Sequence, residues 1–259
     1  KPPSPIRLTL VGAAYQENLT VPHNVQGWNS LLALAELVSP SGSLPNGSLL
    51  TSAHSEWHLH QPPIVLQSGQ PWDFGLDRFP EETLVLYFNA HGAADQKGAY
   101  LLPHDCEPTD LSGRLRVQQI IATLSKLPAE KHKLLILDAT HFDTNWRYGM
   151  LRNDFARSLE ELEQDIVAVP NLVVVCAASD GQLSLAGPQN QTLFGHFMVD
   201  ALSGSVEDAN LDGRIDAWEV YDNTNRNIHQ WVAENHVAAQ QAWLLPTGAL
   251  GHKRAAEIQ

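Results

Sequence analysis

The chain has 259 residues, of which 43% are hydrophobic, and a formal net charge of −13. This length and apolar content are enough for one large α/β domain with a sizeable core. The acidic balance excludes nucleic acid and anionic membranes as partners, because phosphate groups are bound by clustered Lys and Arg, and the two cysteines exclude a disulfide framework.

The two ends of the chain differ from the rest in composition. Three of the first five residues are Pro, which predicts a linker over 1–5. We expect a single domain over 6–250 and a tail over 251–259, as a soluble part of a longer protein whose compartment the residues leave open. No apolar run approaches the roughly 20 residues that a membrane helix needs.

The predicted elements alternate between strands and helices. Strands are predicted at 6–11, 64–66, 83–90, 99–102, 133–139, 172–178 and 243–245, with a weak candidate at 57–60. Helices are predicted at 28–38, 117–127, 151–166, 192–202 and 216–234. The central strands are apolar on both faces, which is typical of a mostly parallel sheet with helices on both sides. The predicted fold class is therefore α/β.

Two of these apolar strands end in polar dipeptides, His91-Gly92 and Thr140-His141. In an open parallel sheet, ligand sites lie at the carboxyl ends of the strands. We therefore expect His91 and Thr140 to lie together if their strands are neighbours. A histidine in such a place either satisfies backbone groups or positions and deprotonates a nucleophile.

Five segments, in this order and spacing, resemble the caspase-like superfamily, which includes caspases, metacaspases and bacterial orthocaspases. They are Tyr87–Gly92, Tyr100–Asp105, Leu135–His141, Val174–Gln182 and Leu193–Phe197. The resemblance covers nearly the whole chain, and it implies a three-layer sandwich fold and a bacterial source. It also implies that His91 acts on a nucleophile at position 140 and that the backbone near Gly92 helps to hold an oxyanion.

The nucleophile motif departs from the family pattern Asp-x-Cys-His-Ser-Gly. The chain reads Asp138-Ala139-Thr140-His141-Phe142-Asp143, so Thr replaces the Cys and two bulkier residues replace Ser-Gly. A threonine hydroxyl is far less acidic than a thiol and needs a well-aligned base. The departures predict a pseudoprotease. An active endopeptidase that uses Thr140 stays open as the alternative.

The resemblance also implies a binding cleft. In metacaspase-like relatives an acidic residue at the position of Asp138 helps to form the pocket for a basic side chain, and Ser179 and Gln182 fall where that pocket is lined. The chain would then bind Arg- or Lys-containing peptides or protein partners without cutting them. The alternative is that Asp138 only caps the turn at the end of its strand.

A twelve-residue segment, 208–219, matches an EF-hand calcium loop. The oxygen ligands would be Asp208, Asn210, Asp212, Arg214 (through its carbonyl), Asp216 and Glu219. Gly213 stands at the sixth position, where the loop turns sharply. EF-hands normally occur in pairs and this chain has one loop, so we expect a structural or weak Ca²⁺ site, and a calcium-dependent interaction module is a third hypothesis. A capped Asx turn is the alternative.

Overall fold

The structure is a computed structural model. It describes residues 6–38, 57–59, 62–73, 76, 79–107, 113–141, 153–235 and 238–258, and of Trp57 and His58 only the backbone. Phe142 and Asp143, which carry the second departure from the family motif, lie outside the described residues.

The described residues form strands and helices in an alternating order. The strands are β1 (Ile6–Gly12), β2 (Trp57–Leu59), β3 (Ile64–Val65), β4 (Thr83–Asn89), β5 (Gly92–Asp95), β6 (Gly98–Leu101), β7 (Leu115–Arg116), β8 (His132–Asp138), β9 (Leu172–Cys176) and β10 (Trp243–Leu245). The helices are α1 (Val25–Val38), α2 (Val117–Leu124), α3 (Phe155–Glu160), α4 (Glu163–Ala168), α5 (Leu193–Asp200), α6 (Ala217–Asn235) and α7 (Gly248–Ala256). In this part of the chain no helix is both long and apolar enough to cross a membrane.

The main sheet has the strand order β10-β9-β8-β4-β1-β2, and β3 also pairs with β1. Its strand pairs are parallel except that β10 runs antiparallel to β9. The predicted, mostly parallel sheet is thus confirmed. Strands β4 and β8 are neighbours, with Asn89 opposite Asp138 in the register. His91 and Thr140 each follow these paired residues by two positions, so they lie at the same edge of the sheet.

Alternate residues of each central strand pack into two separate cores. In β4, Leu84, Leu86 and Phe88 enter one core, whereas Val85 and Tyr87 enter the other. This follows from the two-residue period of a strand. Helices α2, α3 and α4 cover the first core, and α1, α5, α6 and α7 cover the second. The result is a three-layer α/β/α sandwich, in which each fully buried aliphatic side chain contributes about 1.5–3 kcal/mol.

A small antiparallel sheet of β5, β6 and β7 follows directly after His91. Only β6 is predicted from the sequence, because β5 has no large apolar side chain and β7 has two residues. Arg116 binds both carboxylate oxygens of Asp95 at 2.6 and 2.7 Å, and Arg114 binds Asp95 at 3.2 Å. These ion pairs join the ends of the three short strands.

Two predicted helices differ from the observed ones in more than the position of an end. The helix predicted at 151–166 is two helices, α3 and α4, and between them the Leu162 amide donates to the Leu159 carbonyl at 3.0 Å, which is a tighter turn than an α-helical one. The helix predicted at 192–202 ends as α5 at Asp200 and continues as a π turn over Ala201–Ser205.

Residues 251–256, expected to be part of a tail, belong to helix α7 instead, and Ala255 and Ile258 are buried. The guanidinium of Arg254 donates to four main-chain carbonyls at the carboxyl end of α4 and the start of β9. These are Ile166 (3.4 Å), Val167 (3.0 Å), Val169 (3.2 Å) and Leu172 (3.2 Å). A cation at this place also interacts favourably with the helix dipole of α4. Arg254 therefore ties helix α7, which packs on one face of the sheet, to helix α4, which packs on the other face.

We expect Arg254→Met to lower the free energy of unfolding by about 1–3 kcal/mol, because several carbonyls lose a charged donor. Urea unfolding followed by circular dichroism measures the difference. Lys253→Met is the matched control, since Lys253 is the exposed neighbour in the same helix. Equal losses in the two variants would contradict the role of Arg254.

Candidate active site

His91 is buried (3% exposed) at the carboxyl end of β4 and is held at its ring edge by a main-chain carbonyl. Its Nε2 lies 2.7 Å from the carbonyl oxygen of Pro22, in the loop between β1 and α1. A carbonyl oxygen only accepts, so Nε2 carries the proton. In the neutral ring Nδ1 is then the basic nitrogen.

The charge state of His91 follows from its surroundings. Burial, together with the smaller effect of the neighbouring His141 ring, lowers the pKa of His91 to about 3, although the hydrogen bond that Nε2 donates to the Pro22 carbonyl acts in the opposite direction. The imidazole is therefore neutral near pH 7. A neutral imidazole accepts a proton, but it does not supply the positive charge that stabilises a thiolate.

Thr140 is buried (2% exposed) directly after β8. Within the described part of the chain its hydroxyl has no hydrogen-bond partner, so no hydrogen bond joins it to His91. Its main-chain carbonyl accepts from the Ser184 amide at 2.7 Å, which fixes the backbone at this point. A general base must lie within hydrogen-bond reach of the proton that it takes. The structure places the two residues at one edge without the contact that would activate the hydroxyl.

The Gly92 amide forms a hydrogen bond within the protein. It donates to the Ala139 carbonyl at 2.7 Å, so it does not point at a ligand as an oxyanion donor would. A Cβ at position 92 would lie 2.7 Å from the Phe155 ring and 2.8 Å from the same carbonyl. Only glycine fits this close approach of the two strand ends. The oxyanion role that the resemblance implies for the Gly92 backbone stays a prediction, and it would require this amide to change partner.

Asp138 is fully enclosed (0% exposed) at the end of β8. Its carboxylate accepts from four side chains, which are Tyr87 (3.1 Å), Asn89 (2.8 Å), Ser184 (2.8 Å) and Thr192 (2.5 Å). Burial raises the pKa of Tyr87 well above its ordinary value, and the Asp138 charge raises it further. With both oxygens bonded inside the protein, Asp138 does not line an open pocket for a basic side chain. It also accepts from side chains, whereas a turn cap would accept from backbone amides.

Ser179 and Gln182 lie half-buried after the end of β9 and are bonded to a different part of the chain. The Gln182 side-chain oxygen accepts from the Gln241 amide at 2.7 Å and from the Ser179 amide at 3.4 Å. The Ser179 hydroxyl donates to the Gln241 carbonyl at 3.0 Å. None of these bonds reaches Asp138. The structure therefore brings Ser179 and Gln182 together, but separately from the Asp138 cluster.

Three residues at this edge are missed by sequence reasoning. Tyr15 stacks on the His91 ring, with the centroids 4.6 Å apart, and Pro22 binds its Nε2. His141 has its ring edge-on to His91, with the centroids 5.8 Å apart, and its Nε2 donates to the Asp138 main-chain carbonyl at 2.8 Å. The loop after β1 ends at the same sheet edge as the loops after β4 and β8. That placement is the signal that points to Tyr15 and Pro22.

In the segment 208–219, side-chain carboxylates accept hydrogen bonds from backbone amides of the same loop. Asp208 accepts from the amides of Asp212 (3.2 Å) and Gly213 (2.7 Å), and Glu219 accepts from the amides of Ala209 (2.8 Å) and Asp216 (3.0 Å). Among the described residues no group of three or more His, Cys, Asp and Glu side chains is drawn together as a metal site. The carboxylates face the loop amides instead.

The remaining positions of this loop fit the same pattern. The Asn210 side chain accepts from the Asp212 amide at 2.8 Å, and the Asp212 side chain accepts from the Arg214 amide at 2.9 Å. Gly213 has φ +85°, a conformation that favours glycine. Burial raises the pKa of Asp216, and the nearby charges of Glu219 and Asp212 raise it further. Several negative groups therefore lie close together around one turn.

We expect the acid sensitivity of folding to depend on His91. Its pKa in the folded protein, about 3, lies below its ordinary value of 6.5. Between these values the unfolded chain binds a proton that the folded protein does not, so stability falls as the pH drops through this window. We expect this pH-dependent loss of stability to be absent in His91→Gln. Urea unfolding at stepped pH measures the slope, with the exposed His23→Gln as control. Equal slopes in wild type and His91→Gln would refute the assignment.

The comparisons with known proteins agree with this arrangement. The family model described as Caspase domain (Peptidase C14) matches residues 78–246, which is more than half of the chain and includes β4, β8 and β9. No curated protein matches the chain. With a mainly parallel sheet between two helical layers and the His91 edge in place, the chain belongs to the caspase-domain family.

Proposed function

We propose that this caspase-family domain is a pseudoprotease of the bacterial orthocaspase kind, which binds a peptide or protein partner without cleaving it. The observation that carries the proposal is Thr140, which stands at the nucleophile position with a buried hydroxyl that has no hydrogen-bond partner among the described residues. A hydroxyl without a bonded base is a poor nucleophile at neutral pH.

Two further features support the absence of cleavage. His91 is neutral and is bonded through Nε2 to Pro22, so it does not form the ion pair that activates a thiol. The Gly92 amide donates to Ala139, which leaves it unable to stabilise a developing oxyanion. The alternative, an endopeptidase that uses Thr140, would need both groups to change partners.

Recognition rests on different residues. Ser179 and Gln182 are half-buried at the carboxyl end of β9, where ligands of open α/β sheets bind. The net charge of −13 favours partners with basic side chains through long-range attraction. Asp138 serves as an internal anchor in this proposal, so the basic group would bind nearer the surface than the resemblance implies.

The proposal predicts that the wild-type domain and Thr140→Ala release fluorophore from Arg- and Lys-directed peptides at the same background rate. Activity in the wild type that is lost in Thr140→Ala would overturn it. We expect Thr140→Cys to show no cleavage above background either, because the Gly92 amide keeps its bond to the Ala139 carbonyl and position 140 stays buried. Rescue by Thr140→Cys would show instead that the residue at position 140 alone removes the chemistry.

Binding is measured on the same peptides by fluorescence anisotropy. We expect Gln182→Ala to weaken binding about fivefold, which corresponds to ~1 kcal/mol. Gln118→Ala, an exposed glutamine on α2, is the matched control. Absence of binding to any Arg or Lys peptide by the wild type would contradict the proposed basic specificity.

Calcium binding by 208–219 is a second candidate function. Its support is the inward orientation of Asp208, whose carboxylate receives the amides of Asp212 and Gly213 as in a loop preshaped for a cation. Asp208, Asn210, Asp212, Asp216 and Glu219, with the Arg214 carbonyl, would supply oxygen ligands. Loading the loop would require Glu219 to exchange its amide hydrogen bonds for the ion. A Ca²⁺-dependent interaction module would then act through helix α6, which begins beside Glu219.

We expect Ca²⁺ titration by calorimetry to give heat with the wild type and little with Glu219→Gln, because the twelfth position supplies the strongest carboxylate ligand. Glu207→Gln is the control, since Glu207 is exposed just before the loop. Circular dichroism confirms that both variants are folded. Equal heats in all three proteins would sink the calcium assignment.

A further inference from the structure

Tyr15, the third residue after β1, has a backbone conformation that is rare for its type. Its φ is +57°, in the left-handed region, although it carries a large aromatic side chain. It is also fully buried (0% exposed). Such conformations cost of order 1–3 kcal/mol and persist where the surroundings over-determine them, frequently at functional sites.

The side chain of Tyr15 contacts His91 in two ways. The Tyr15 hydroxyl accepts the His91 main-chain N–H at 2.9 Å and donates to the Leu102 carbonyl at 2.6 Å. The Tyr15 ring stacks on the imidazole with centroids 4.6 Å apart and planes inclined by 16°. One residue therefore holds both the backbone and the ring face of His91.

Tyr15 is also held on the side that faces away from His91. His104 Nδ1 accepts the Tyr15 main-chain N–H at 3.0 Å, and the two rings lie 6.2 Å apart at 22°. Asn18 ties the same loop to the carbonyls of His104 (3.3 Å) and Cys106 (2.9 Å). Tyr15 is thus packed between two histidines and has little freedom to turn away from His91.

The same loop, between β1 and α1, also carries Pro22, which binds His91 Nε2. The loop consequently holds His91 at its main-chain N–H, its ring face and its ring edge. The family match begins at residue 78, after this loop. We infer that Tyr15 is the positioning residue of His91, which sets the imidazole plane so that Nε2 meets the Pro22 carbonyl and which keeps water from the ring.

The groups around His91 allow a direct test. From the end of β8 it faces His141, from the β1–α1 loop it faces Tyr15, and His104 lies behind Tyr15. Burial is the main reason why the His91 pKa is low. Opening the Tyr15 side should therefore raise the His91 pKa toward its ordinary value.

The test uses NMR of the His91 ring in the wild-type domain and in two variants. In the wild type we expect the Nε2–H tautomer and no titration of the ring between about pH 5 and about pH 8. In Tyr15→Leu the stacking is lost and water reaches the ring, so we expect titration inside that window and a mixture of tautomers. A folded Tyr15→Leu variant in which the His91 ring does not titrate in that window and keeps one tautomer would overturn the inference.

Tyr15→Phe keeps the ring and removes only the hydroxyl, so it serves if Tyr15→Leu does not fold. The His91 amide then loses its acceptor, and we expect its hydrogen exchange to rise about tenfold. Tyr221→Phe is the matched control, because its hydroxyl donates to a main-chain carbonyl, Ala242, at 3.2 Å away from this site. Unchanged His91 exchange in Tyr15→Phe would also overturn the inference. These readouts do not involve peptide cleavage, so they stand apart from the proposed pseudoprotease function.

Discussion

The buried Asp138 carboxylate is the interaction on which the rest of the site depends. A carboxylate in the protein interior is costly unless donors surround it. Its donors come from three places: Tyr87 and Asn89 on β4, Ser184 on the loop after β9, and Thr192 at the start of α5. The need to satisfy one charge thus fixes the ends of two strands, a loop and a helix relative to one another.

The polar network extends beyond these donors. Thr192 caps α5 by accepting the Gly195 amide at 2.9 Å, and its hydroxyl lies 3.2 Å from the Ser30 hydroxyl of α1. Asn89 accepts from Asn24 at 2.6 Å, which ties the β1–α1 loop to the same cluster. Because this loop also carries the groups that hold His91, the charge on β8 and the imidazole on β4 belong to one connected framework. Loss of a member would leave several buried partners unsatisfied.

Some of this arrangement follows from the sequence and some does not. Strands apolar on both faces predict a parallel sheet, and the sheet places His91 and Thr140 at one edge. Because both faces of β8 are buried, the sequence does not indicate toward which core the Asp138 side chain points. Tyr15 and His91 are 76 residues apart in the sequence, and a local periodicity does not predict a contact between residues so far apart. Strand β5 has mostly small side chains and strand β7 has two residues, so neither leaves a pattern in the sequence.

The Thr140 side chain, at the expected nucleophile position, has fewer hydrogen-bond partners among the described residues than the side chains of His91 and Asp138. Asp138 is bonded to four buried side chains, and replacing it would leave these donors without a partner at a cost of about 1–3 kcal/mol apiece. The His91 side chain is buried and bonded to the Pro22 carbonyl, so its replacement would remove both a hydrogen bond and packed volume. Thr140 contributes a hydroxyl that makes no hydrogen bond among the described residues. The side chain at position 140 can therefore be exchanged at little cost to folding, whereas those of His91 and Asp138 cannot. Under the proposed pseudoprotease function, stability alone is then enough to keep the outline of a protease site around Thr140.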